Sequence, residues 1–364
     1  ISKLIKKKMK NRISLLIIVL YTCSCSVSNI KFEAIKPAQI NVPTNIESLI
    51  IANRTTPTKN NTAENILDGI LSGEQIGVDK RSSKDCINAL KFKMSNSPRF
   101  KLISTESIEF KGSGTSEMSK PLKWKKIENN LKDFDADALI VLESFDSSSR
   151  VMDLGTRERK KKIDGEWTKI IEHIASLNVE VQAGWRIYDL KNQKIIDEQR
   201  FFDRKIFENA DKTIVLAKMG LPKLNFAVSQ AAILSGEQFF YRVSPHYILI
   251  NREYFKNLKN IKGFKIKSDN SNSLFINASR YVSNKNWREA VKIWKQLINH
   301  KNKSVASRAY FNLALASEAN GQIDIAITWI NKSLDLGNKK AKIYKSKLEK
   351  RKLDEIKLNQ QILN

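Results

Sequence analysis

The sequence predicts an α/β domain, a mixed sheet with covering helices, followed by an all-α domain of helical hairpins, and three observations carry this. Two almost unbroken apolar runs, Ser48-Leu49-Ile50-Ile51-Ala52-Asn53 and Ala136 to Phe145, have the composition of strands buried on both faces. From Ile46 to about Phe255 such runs alternate with helical periods, as expected of a sheet with helices packed on it. Further on, one pattern occurs twice with a shift of 36: Ala278, Tyr281, Trp287, Ala290, Trp294 and Leu297 return as Ala314, Ser317, Ile323, Ala326, Ile330 and Ser333. Each copy reads as two short helices, in which small residues allow close approach and large ones fill the groove between.

The chain has 364 residues, enough for two domains with their own cores. Its 41% hydrophobic content with only 13 Gly and 7 Pro excludes collagenous, mucin-like and wholly disordered proteins. The formal charge is +26; residues 1–24 hold six of the 64 basic residues and none of the 38 acids, so the remainder still carries +20. Such a surface concentrates anions with a strength that salt screens. Lys, Asn and Ile are abundant together, as AT-rich coding produces, so drift in composition is the first explanation of the charge.

The first 24 residues have the layout of a secretory signal. Lys6, Lys7, Lys8, Lys10 and Arg12 form a basic region, and Ile13 to Tyr21 is apolar but far short of the roughly 20 residues that a membrane span needs. Met9-Lys10-Asn11-Arg12 is a better start than Ile1. The segment Leu20-Tyr21-Thr22-Cys23-Ser24-Cys25-Ser26 resembles the recognition site of lipoprotein signal peptidase. Cys25, with the small Ser24 before it, is the expected lipidation site, although Leu20 suits Cys23 better. Two or three acyl chains there would hold the protein on a membrane. Residues 25–46 are then expected to be a tether. Ser26 to Lys31 lack the acidic pair that favours surface display in Bacteroidetes-type lipoproteins, so the resemblance places the protein on the periplasmic side of the outer membrane. Cys86 is expected to be a buried apolar residue on a helix.

Within the α/β domain, residues 47–255, the expected order is β, α, α, β, α, β, β, β, α, β. Ser83 to Met94 reads as a helix, Phe100 to Ile103 as a strand and Leu122 to Phe134 as an amphipathic helix. The alternation of Val179, Val181, Ala183, Trp185 and Ile187 marks a hairpin of Ile174 to Leu190 with Lys194 to Asp203. Gly155 to Gly165, dense in Arg and Lys, reads as an exposed loop. Asn225 to Tyr241 is a helix, and Pro245 to Ile250 a strand closing the domain. Residues 256–272, polar and rich in Lys and Asn, are the expected linker.

Two hairpins, 273–338, follow, with a basic capping helix at 339–364. Ala309-Tyr310-Phe311-Asn312-Leu313-Ala314, then Gly321 and Ala326-Ile327, resemble a tetratricopeptide repeat; the first copy departs from it with Asn277 in place of Leu and Lys285 in place of Gly. Lys36 to Ile40, Asn53-Arg54, Arg242 to Pro245, Asn251 to Tyr254, and Asn286 to Ala290 with Trp294 together resemble a family of uncharacterised Bacteroidetes lipoproteins with a C-terminal tetratricopeptide-like region. The resemblance covers nearly the whole chain after the leader and implies architecture and compartment, not chemistry.

The titratable residues do not converge. His173, His246 and His300 are far apart, Asp133, Asp135 and Asp137 lack the Gly and final carboxylate of a calcium loop, and Gly112-Ser113-Gly114 lacks the residues of a phosphate loop. No catalytic residue, metal site or cofactor is expected. The expected function is non-catalytic binding of a protein or peptide partner in the cell envelope through the hairpins, with Asn277, Arg280, Asn312 and Glu318 as groove residues. The membrane is the second expected partner, through the lipid anchor; nucleic acid is not one. Two alternatives are a wall or glycan hydrolase using Glu143 and Asp146, and binding of an anionic polymer through Arg157 to Lys162.

Overall fold

The computed structural model describes residues 26–57, 77–104, 106–259, 261 and 269–362. The predicted leader and Cys25 lie outside them. The described residues form two compact units: one of Pro37–His246 with residues 358–362, and one of residues 26–36 with Tyr247–Lys357. A mixed sheet with helices precedes a region that is all helical from Ser271, which is the predicted fold class.

The sheet holds β2 (Ser48–Pro57), β3 (Lys101–Leu102), β4 (Ile108–Gly112), β5 (Ala138–Ile163), β6 (Glu166–Asp189) and β7 (Lys194–Asp211). Its order is β3-β2-β5-β6-β7, with β4 also on β2; β2 runs parallel to β3, β4 and β5, and the β5-β6-β7 meander is antiparallel. Asp137, one of the three alternating aspartates, sets the central pairing. Its carboxylate accepts the backbone N–H groups of Glu47 at 3.0 Å and Ser48 at 2.8 Å, just before Ala138 pairs with Leu49.

The apolar runs are unbroken because both faces of the sheet are covered. On one, Leu49, Ile51, Ile140, Leu142, Val179, Val181 and Trp185 pack under α1 (Val78–Met94) and α4 (Leu224–Val243). On the other, Ile50, Ala52, Leu139, Val141 and Tyr188 pack with Ile127 and Leu131 of α2 (Trp124–Leu131). Trp185 stacks on Phe239 with ring centroids 4.5 Å apart. Cys86 is buried where α1 meets α4, and burial pushes its thiol far above the usual range. Gly236 makes that meeting close: a Cβ there would lie 2.1 Å from the Cys86 carbonyl oxygen.

Several elements differ from expectation. Strand β4 and α3 (Ile214–Met219), of five and six residues, are too short for a period to announce them, and β6 and β7 outrun the predicted hairpin. The predicted loop at Gly155 to Gly165 is instead the end of β5 and the turn into β6. Asp164 (φ 49°) and Gly165 (φ 91°) make that turn, which suits a two-residue hairpin connection. The pairing runs from Thr156↔His173 to Ile163↔Glu166, and cross-strand charge pairs replace the apolar alternation that sequence reading looks for.

The expected tether also contains structure, since β1 (Val27–Lys36) pairs with β8 (His246–Phe255) in a two-stranded sheet of its own. Strand β8 therefore does not close the main sheet. Its outer residues, Tyr254 and Phe255, together with Leu258 of the predicted linker, belong to the helical core.

That core is built by α5 (Ser271–Ser283), α6 (Trp287–Leu297), α7 (Lys303–Ala319), α8 (Ile323–Asp335) and α9 (Lys339–Ile362). The repeat shift holds in the backbone: α6 and α8 begin 36 residues apart, and Ala278, Ala290 and Trp294 are buried like Ala314, Ala326 and Ile330. Tyr344 and Leu348 of α9 join this core, while Ile356, expected near the same face, is exposed. Lys285, which interrupts the repeat motif, occupies the left-handed conformation (φ 58°) of its counterpart Gly321 (φ 74°).

Two stability measurements follow. In an exposed helix Gly→Ala would stabilise, but Gly236→Ala should lower stability by about 1–3 kcal/mol in denaturant unfolding, because the carbonyl it would strike is fixed in α1. Lys285→Gly should raise the stability of the hairpins by about 1 kcal/mol in the same assay, by relieving a conformation that side chains resist.

Candidate functional site

Four residues were expected to line a groove on the first helices of the hairpins. Asn277 and Arg280 are exposed on α5, one turn apart. Asn312 and Glu318 are buried on α7, and both already bind a peptide segment, the chain's own residues 252–258. Asn312 accepts the Phe255 N–H at 2.9 Å and donates its amide to the Phe255 carbonyl at 2.7 Å. Tyr254 and Ser279 join hydroxyls at 2.9 Å, and the Leu258 N–H donates to Asn272 at 2.8 Å. Arg308 donates to the carbonyls of Asn257 and Lys259 and lies over the Phe255 ring; burial pulls its guanidinium down to about 10.

Glu318 fixes this arrangement. Arg252 grips both its oxygens, with Nη2 2.8 Å from Oε1 and Nε 3.0 Å from Oε2, and the Tyr344 hydroxyl donates to Oε2 at 2.6 Å. Arg351 stands 3.5 Å from Oε1. Burial, with the Glu318 carboxylate beside it, keeps the Tyr344 phenol protonated well above its usual range. Two of the four expected groove residues, Asn312 and Glu318, are thus part of an internal clamp, because a strand with no place in the main sheet reaches them first.

The carboxylate proposed for hydrolysis is held in the same way. Glu143 is the extra residue of a bulge between Leu142 and Ser144, and its buried side chain meets Arg54 at 2.7 Å, Arg186 at 3.3 Å and the Tyr188 hydroxyl at 2.6 Å. Arg54 and Arg186 also donate to the carbonyls of Lys120 and Ser119, tying that segment to the sheet. Asp146 shares none of these partners. It lies in the field of Asp79, whose carboxyl is raised to about 6, by burial first and by Asp146 to a lesser degree. Both Glu143 oxygens are therefore engaged by side chains of the chain itself. No group of side chains suited to a metal ion occurs among the described residues.

What remains open is a cleft of about 810 Å³ on the other side of the hairpins, where α6 faces the end of α7 and the start of α8. Its floor is Leu313 and Ala316, its apolar walls are Trp287, Val291, Ile325 and Trp329, and Lys285, Arg288, Lys292 and Lys295 stand along one rim. Among the described residues no carboxylate lines it. Trp329 is held by stacking on Tyr310, with Lys332 over both rings, and Lys292 is paired with Glu289 at 2.7 Å. Sequence reading missed this site because it assigned Trp287 to the core pattern and sought polar residues on the first helices. The signal available was Arg288, Lys292 and Lys295 recurring on one side of α6 beside Trp287.

Residues 46–255 match the family described as Domain of unknown function (DUF8603), a span of more than half the chain. The chain belongs to this family. Residues 276–358 of this DUF8603 protein match a second family, Domain of unknown function (DUF6340), which takes in α6 to α8 and the cleft. No curated protein matches the sequence.

The clamp can be tested directly. Glu318→Gln should leave two partly buried guanidinium groups without their counter-charge and destabilise the helical unit by about 3 kcal/mol. Hydrogen exchange should show residues 252–258 opening before the sheet does, whereas Tyr344→Phe, which removes one hydrogen bond, should have a smaller effect of about 1 kcal/mol.

Proposed function

We propose that this DUF8603 protein is a non-catalytic lipoprotein of the cell envelope, anchored through Cys25 on the periplasmic side of the outer membrane, which holds a protein partner in the cleft between α6 and α8. The observation that carries the reading is the lining of that cleft: four cations on a rim around two indoles, with no acid among them. Such a surface suits an acidic peptide segment with apolar side chains, the cations meeting carboxylates and the indoles supplying most of the contact area. The tetratricopeptide-like motif supports the reading, since stacked hairpins commonly offer peptides a surface. Here the buried polar residues Asn312 and Glu318 of α7 are taken by the chain itself, which leaves the cleft as the surface for a partner. The basic leader and the cysteine following Ser24 support the anchor, and no described helix is long and apolar enough to cross a membrane.

A photoreactive amino acid in place of Val291, on the cleft wall, should give one adduct with an envelope protein in native membranes. The same residue in place of Asn277, on α5, should not. Arg288→Glu with Lys295→Glu should reduce the adduct at least tenfold without altering unfolding. If the adduct persists in that variant, or forms equally from both positions, the cleft is not the docking site. Mass spectrometry of the mature N-terminus checks the anchor: an unmodified residue there removes it.

A further inference from the structure

The turn Asp164-Gly165 closes an arm that the main sheet does not support. Strand β7 pairs with β6 only as far as His173↔Asp211, while β5 and β6 continue together from Thr156↔His173 to Ile163↔Glu166. Eight residue pairs make a two-stranded ribbon of about 25 Å. Residues 153–169 are all exposed, so among the described residues no core covers either face there. A lone ribbon is marginal in water. Pairs of Glu172 with Arg157 at 3.0 Å and of Glu158 with Lys169 at 2.9 Å hold this one together.

The two faces differ. Residues directly opposite in an antiparallel pair share a face, so the register puts Glu158, Lys160, Lys162, Trp167, Lys169 and Ile171 on one side. Trp167 is 72% exposed and Ile171 66%. They continue the odd-numbered line of β6 that is buried under the helices from Ala175 to Ile187, but beyond the point where those helices end. The other side carries Arg157, Arg159, Lys161, Ile163, Glu166, Thr168, Ile170 and Glu172, where Glu172 occupies both arginines.

We infer that the face of Trp167 and Ile171 docks on an anionic lipid surface, with the arm lying flat. An indole and a branched aliphatic side chain flanked by three lysines match the interfacial zone of a bilayer, where rings sit at head-group depth and lysines reach the phosphates. A second copy of the chain does not fit, because lysines would face lysines. Insertion by the tip does not fit either, since Asp164 and Glu166 stand there. The arm is remote in sequence from the cleft, and this inference does not rest on the partner proposed for it.

The test uses the full chain with Cys23→Ala and Cys25→Ala, Cys86 being fully buried, and an environment-sensitive fluorophore on Ile171→Cys or, on the opposite face, Thr168→Cys. On vesicles of phosphatidylcholine with phosphatidylglycerol, the probe at 171 should shift to the blue and the probe at 168 should not. High salt should abolish the shift. Replacing Lys160, Lys162 and Lys169 by Gln should raise the half-saturating lipid concentration by roughly a hundredfold, about fivefold per lysine. Equal shifts at both positions, a shift of the same size on phosphatidylcholine alone, or no shift would overturn the inference. So would retention on heparin together with no shift on vesicles, which would mark a soluble polyanion as the ligand. Because the readout is confined to one face of the arm, attachment of the chain through its leader cannot imitate the expected result.

Discussion

A carboxylate removed from water is tolerated only where charged and polar groups surround it in a fixed geometry, and this constraint decides where β8 goes. Glu318 is buried on α7 between Arg252, Arg351 and the Tyr344 hydroxyl. Of these, Arg252 comes from β8, so the strand reaches its full set of contacts only in the one register that places Arg252 at Glu318 and Phe255 at Asn312. An apolar contact could slide by a residue with modest loss; a buried ion pair cannot, because the slipped state leaves a charge uncompensated in a low dielectric. The strand is thereby fixed along the first helices, and a partner that would use that face must compete with the chain itself.

The same device occurs in the α/β unit. Glu143, on its bulge, meets two arginines and a tyrosine hydroxyl, and through their side chains holds residues 119–122 against the sheet. In each unit the carboxylate and its partners come from segments far apart in sequence. That distance explains why the two glutamates read differently from the one-dimensional pattern, Glu143 as a possible acid and Glu318 as a groove residue. An acidic residue at the end of an apolar strand is the same string of letters whether it faces substrate or two guanidinium groups.

What could be read in advance was local. The runs at Ser48 and Ala136, the helix around Cys86 and the repeat at a shift of 36 depend on periodicity within one element, and periodicity is written in consecutive residues. The pairing of β1 with β8 joins residues more than 200 positions apart, and nothing in Val27 to Lys36 names its partner. The arm of β5 and β6 failed for another reason. Its alternation is between two polar faces rather than between apolar and polar ones, so Arg, Lys and Glu concealed the strand, and the Asp164-Gly165 turn was the surviving sign of it. The cleft was hidden because its indoles also satisfied the repeat pattern.

The basic surface then has to be weighed against drift in composition. AT-rich coding raises Lys, Asn and Ile throughout a protein, and most of the lysines on α9 need no further explanation. It does not raise Trp, whose single codon is rich in G. Of the six tryptophans, Trp185 and Trp294 are fully buried, while Trp167 projects from the arm and Trp287 and Trp329 line the cleft. Each of these three stands beside cations. Exposed indoles add apolar area that water does not favour, so they persist where something else covers them. The lysines alone are what mutation pressure would supply; it does not supply the tryptophans that stand among them.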